Sequence, residues 1–188
     1  MKSRILQRRA LIVFVSLLAA CSRTAPPAAM ATMSDSPAPQ PQWAADYDED
    51  VQRDLARVRQ ATAAFHEVAA AQAVGYPTAM PRCLENQPHG GMGLHYMKRD
   101  LLDTSLDVEH PEILLYAPGK DGQPRLVGVE YIVPYSVWDR EKQPPTIFGQ
   151  DLKRSDELKI WYLHVWAWEP NEKGLFDDWN PAVRCSGE

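Results

Sequence analysis

Between Asp46 and Pro77 the residues Val51, Leu55, Val58, Thr62, Phe65, Ala69 and Ala73 recur at steps of three and four. That spacing predicts one long amphipathic helix with a single buried stripe. Asp46, Asp48, Glu49 and Asp50 lie where the positive end of a helix dipole favours acids, and Gly75 with Pro77 ends the run. Further along, the period changes to two. The stretch "EILLYAPGKDGQPRLVGVEYIVP" holds two β-rich runs around Gly119-Lys120-Asp121-Gly122, the signature of a hairpin. "KIWYLHVWAWE" is a third such run, while residues 135–157, with Pro144, Pro145 and Gly149, read as loop. The expected fold is α+β, a long N-terminal helix packed on an antiparallel β-sheet.

The first twenty residues follow a different pattern. Lys2, Arg4, Arg8 and Arg9 precede an apolar run over 10–20, which is shorter than the roughly twenty residues a membrane span needs. The run closes on "LAAC", which resembles a bacterial lipobox. Residues 1–20 therefore read as a lipoprotein signal peptide, and Cys21 as the lipidated residue. Residues 21–44, rich in proline, alanine and serine, read as a disordered tether, with a single domain over 45–188.

Cleavage changes the charge of the chain. Loss of the four basic residues leaves sixteen against twenty-five acids, a formal net charge of −9. Such a surface does not suit nucleic acid, whose phosphates need a basic footprint. The expected partner is the membrane, reached through acyl chains at Cys21. With Cys21 assigned to lipid, Cys83 and Cys185 remain as an even pair, read as a disulfide in an oxidising compartment.

Signals for common chemistries are missing from the sequence. It has no GxSxG elbow, phosphate loop or dinucleotide fingerprint, and "HEVAA" at 66–70 lacks the second histidine of a zinc peptidase. What remains is a set of polar residues in apolar settings. His66 borders the helical stripe. "PHGGMGLHY" places Gly90, Gly91 and Gly93 before His95 and Tyr96, a turn that lets the backbone pass close to another element. Glu130 lies in "LVGVEYIV", on the face of Leu126, Gly128 and Ile132, where Gly128 leaves a gap. His164 lies in "WYLHVWAW", on the face of Ile160, Tyr162, Trp166 and Trp168.

A carboxylate in a buried strand is costly unless paired, and the histidines are its nearest candidates. Three readings stay open. The group is a hydrogen-bonded pair that fixes the core, a pocket for a small polar ligand, or a metal site. Imidazole with carboxylate suits zinc or copper, and a Met92 thioether would favour Cu(I). His89 and His110 read as solvent-facing.

The set "GGMGLHY", "RLVGVEYIVP", "PPTIFGQ" and "WYLHVWAWEPNEKGLFDDWNP", with the two flanking cysteines, resembles an uncharacterised family of exported bacterial lipoproteins. Its members carry a helix with FH before GY, then GGMGxHY, LVGVEY, LHVW and a terminal FxxWNP. The resemblance implies a shared domain over residues 55–185, with motif positions on His66, His95, Glu130 and His164, and it implies no activity. The expectation is a lipid-anchored cell-envelope protein facing the periplasm or exterior. His66, His95, Tyr96, Glu130 and His164 would line its site for a transition metal or small polar ligand. The alternative is a structural or interaction lipoprotein whose buried His and Glu only stabilise the core. A hydrolase lacks a legible nucleophile.

Overall fold

The expected helix forms, and then breaks. In the computed structural model, which describes residues 41–119 and 123–185, α1 (Glu49–Thr62) buries Val51, Leu55, Val58 and Thr62. The chain then tightens into a 3-10 turn (Ala63–His66), extends at Glu67, and resumes as α2 (Val68–Ala73). The single long helix is thus corrected to three short pieces. Competition for backbone and side-chain partners accompanies the break. The Tyr116 hydroxyl donates to the Phe65 carbonyl at 2.5 Å. Thr62 turns its hydroxyl back onto the Val58 carbonyl at 2.7 Å, and the Trp168 indole donates to the Thr62 oxygen at 3.0 Å. Folded structure also starts earlier than expected. Gln42–Asp46 form a 3-10 turn with Ala44 fully buried, so Trp43 and Ala44 belong to the domain rather than to the tether. The signal segment, Cys21 and the tether as far as Gln40 lie outside the described residues.

Sheet, not helix, makes most of the fold. In chain order the strands are β1 (Thr78–Asn86), β2 (Gly90–Met97), β3 (Ile113–Pro118), β4 (Pro124–Pro134), β5 (Thr146–Ile147), β6 (Gln150–Asp151), β7 (Lys153–Ser155) and β8 (Ile160–Val165). Six of them form one antiparallel sheet in the order β1-β2-β3-β4-β8-β7, and β5 pairs with β6 separately. The β3–β4 hairpin is as predicted, pairing Pro118 with Pro124, although Lys120, Asp121 and Gly122 lie outside the described residues. The region read as loop contains β5, β6 and the edge strand β7. Among the described residues no helix is long and apolar enough to cross a membrane.

The glycine-rich stretch is a strand rather than a turn. The reversal lies at residues 87–89, and "GGMG" opens β2. The expected close approach does hold. Gly93 has φ 90°, and a Cβ there would sit 2.4 Å from the Tyr116 carbonyl oxygen. β1 went unread because it contains Pro81, and its pairing to β2 is irregular in three places. An edge position tolerates both features. Cys83 of β1 is bonded to Cys185 with Cα atoms 5.5 Å apart, as expected. The bond ties the C-terminal segment to the sheet edge, where Asn180 and Gly91 exchange two backbone hydrogen bonds of 3.0 Å.

One buried carboxyl had no sequence signal. Glu112 is 1% exposed and accepts the Ile132 N–H at 3.1 Å. Burial pushes its pKa up to about 8, against the pull of that backbone donor. A raised acid binds its proton more tightly when folded, so its contribution is complete below about 4.5 and is lost as pH rises through about 8. Glu112→Gln keeps an acceptor for Ile132 and cannot ionise. Urea unfolding at pH 5, 7 and 9 should show a smaller decline for the variant. An identical decline in both proteins would refute a neutral Glu112.

Candidate metal centre

Three strands bring the candidate side chains together. β4 pairs with β8 so that Glu130 faces His164 across the ladder, and β2 pairs with β3 so that His95 faces Leu115, which in turn faces Gly128. Directly opposed residues share a sheet face, so His95, Glu130 and His164 all project to one side. Gly128 permits the gathering. A Cβ there would lie 2.7 Å from the Val165 carbonyl oxygen, so only glycine lets the end of β8 come this close.

The three side chains are buried, at 2%, 5% and 2% exposure for His95, Glu130 and His164. Their potential ligand atoms all lie within 4.8 Å of one another. His95 Nε2 is 3.6 Å from Glu130 Oε2, and His164 Nε2 is 3.8 Å from Glu130 Oε1. These separations exceed a hydrogen bond, whose usual limit is about 3.2 Å. They approach the roughly 3.4 Å between neighbouring ligands in a tetrahedral shell with bonds of about 2 Å. Both His164 ring nitrogens and His95 Nδ1 are buried without a hydrogen-bond partner.

Burial disfavours charge at His95 and at Glu130. Burial, and then the neighbouring His164, push the His95 pKa down to about 3, so its imidazole is neutral. Burial raises Glu130, Asp178 reinforces the rise, and His164 opposes it. Neutral imidazole is the form that ligates metal.

The structure brings together His95, Glu130 and His164, and leaves out two other candidates. His66 is exposed at the end of the 3-10 turn, with its ring 4.2 Å from Trp168. The helix break turns it there, so the inward position expected from helical angle is corrected. Tyr96 alternates to the opposite sheet face, where its ring lies 4.8 Å from that of Tyr116. Trp168 also departs from its expected face. β8 ends at Val165, and the N–H groups of Trp168 and Glu169 both turn onto the Val127 carbonyl. Met92 is half-buried earlier in β2, and His89 and His110 are exposed as expected.

Asp178 was missed. Its Oδ1 lies 3.6 Å from His164 Nδ1, Lys153 Nζ donates to the same oxygen at 2.6 Å, and the Tyr162 hydroxyl donates to Oδ2 at 3.1 Å. Burial works to raise this carboxyl, but His164 and Lys153 outweigh it and hold it down at about 2. The clearest signal was the paired acid before an aromatic near the second cysteine, and it specifies no partner.

None of the family models, curated proteins or solved structures compared with the chain matches it.

Proposed function

We propose that the protein is a lipid-anchored cell-envelope binding protein holding a divalent transition ion, zinc first, between His95, Glu130 and His164. One observation carries the reading. Two imidazole nitrogens face the two oxygens of one buried carboxyl at 3.6 and 3.8 Å, too far for hydrogen bonds and close to ligand spacing. Two nitrogen donors and one oxygen donor suit zinc or copper(II) more than soft Cu(I). The burial of all three side chains favours an ion over a larger polar ligand. A surface cleft of about 560 Å³, lined by Trp43, Tyr47, Pro170, Leu175 and Pro181 among others, includes none of them. The experiment is element analysis of the protein purified without a histidine tag, where near-stoichiometric metal supports the reading and none opposes it.

Binding is favoured over catalysis because the ligand set is shut away from solvent. A second His–carboxylate pair, His110 Nδ1 with Asp107 Oδ2 at 2.8 Å, is exposed beside a small cleft that also includes Ser105. Among the described residues no hydrogen bond joins the Ser105 hydroxyl to His110, so no activated nucleophile is assembled.

The envelope location is supported by the basic start, the apolar run and "LAAC", together with a disulfide of the kind exported proteins keep. Cells fed labelled palmitate should incorporate it into the wild-type chain and not into Cys21→Ser. Equal labelling of both chains would remove Cys21 from the reading.

A further inference from the structure

Only one ring nitrogen of His164 can offer a lone pair to an ion beside Glu130. The inner nitrogen, Nε2, lies 3.8 Å from Glu130 Oε1, and the outer one, Nδ1, lies 3.6 Å from Asp178 Oδ1. Neither nitrogen closes a hydrogen bond among the described residues. Asp178, by contrast, is clamped. Lys153 Nζ donates to Oδ1 at 2.6 Å and to the Phe176 carbonyl at 2.7 Å, while the Tyr162 hydroxyl donates to Oδ2 at 3.1 Å. Lys153 of β7 and Tyr162 of β8 are directly paired across the sheet, so both donors stand on rigid backbone.

We propose that Asp178 is the positioning residue of this site, holding the His164 proton on Nδ1 and leaving the Nε2 lone pair for a divalent transition ion. The affinity half of the inference rests on the metal reading, and the tautomer half does not. A neutral imidazole carries one N–H, and that proton settles towards the stronger fixed acceptor. Asp178 is a carboxylate held in place by two donors, and the gap to Nδ1 closes with a shift of about 0.6–0.7 Å to the usual length. The opposite tautomer would aim the proton at the position the ion must occupy.

Metal-binding histidines regularly donate their outer N–H to a carboxylate, which fixes both tautomer and ring orientation. At His95 the acceptor acting on the ring is a neutral backbone carbonyl, that of Gly93, and its Nδ1 closes no hydrogen bond of good geometry among the described residues. The asymmetry assigns the preorganised ligand to β8 and makes His95 the adaptable one.

The test uses the full chain and two readouts. Nitrogen-15 NMR of the ion-free protein should report the Nδ1–H tautomer for His164, and chelator competition should give its zinc affinity. In Asp178→Ala no acceptor faces Nδ1, so the Nδ1–H tautomer should lose its preference and the affinity fall roughly 10–100-fold. Tyr162→Phe removes one clamp and keeps the carboxylate. It should weaken zinc binding by less, and it serves if the first variant does not fold. An Nε2–H tautomer in the wild type, or unchanged tautomer and affinity in Asp178→Ala, overturns the proposal. A wild type that takes no zinc defeats the metal reading instead, and the tautomer of His164 then decides the role of Asp178 alone.

Discussion

Zinc at a thousandfold excess over its dissociation constant should raise the unfolding free energy by about 4 kcal/mol, and His95→Ala or His164→Ala should abolish that rise. The magnitude follows from linkage, because an ion that binds only the folded chain withdraws it from the unfolding equilibrium. The folded chain alone assembles the site. His95, Glu130 and His164 are separated by 34 or more positions in sequence and meet only through the register of β2, β3, β4 and β8. Differential scanning calorimetry with and without zinc, on the wild type and both variants, measures the effect. If the cluster serves only the core, zinc leaves all three transitions unmoved and the alanine variants are merely less stable. One point of geometry favours the metal reading over that alternative. A polar group retained for core stability closes its hydrogen bonds, because an unsatisfied buried donor or acceptor costs about 1–3 kcal/mol. Among the described residues His95 Nδ1 and both His164 ring nitrogens close no hydrogen bond of good geometry.

Replacing Cys83 and Cys185 together with serine should cost about 4–5 kcal/mol, the loop-entropy value for a closed loop of about a hundred residues. The two positions are 102 apart, so the bond shortens nearly the whole denatured domain. Small domains are stable by only about 5–15 kcal/mol, so the loss is a large share of the total. Its local effect should be uneven. β1 is an edge strand with irregular pairing, and the C-terminal segment is held elsewhere by the Asn180–Gly91 pair and by Asp178. Hydrogen exchange should therefore rise first in β1 and near Cys185, with β3, β4 and β8 protected longest. Urea unfolding gives the total. A loss under about 1 kcal/mol would mean that the denatured chain is already compact without the bond.

The two results are separable. Serine variants that keep stoichiometric zinc place the site within the sheet alone. Serine variants that lose it make the C-terminal segment part of the site, through Asp178.

Legibility of the chain followed the range of the interaction. The buried stripe of α1, the β3–β4 hairpin and the core of β8 could be read because helical and strand periodicities are local. The cysteine pair could be read from chemistry and compartment. Gly128 was a correct local signal of close approach. Gly90, Gly91 and Gly93 misled, since glycine marks both a turn and a strand pressed against another backbone, and only the neighbour distinguishes them.

By itself the sequence determined an α+β chain with a helix read as longer than it is, strand runs, one disulfide, and polar residues set in apolar surroundings. Each of these depends on a residue and its near neighbours. Only the tertiary structure decided which of those polar residues meet. Strand register brings His95 to Glu130 and His164, and alternation sends Tyr96 to the other face. Contacts from Tyr116 and Trp168 accompany the break in the helix that carries His66 outward. Asp178 reaches His164 from the far end of the chain. Such encounters depend on register across four strands and on hydrogen bonds between distant segments, and periodicity within one segment carries no record of either.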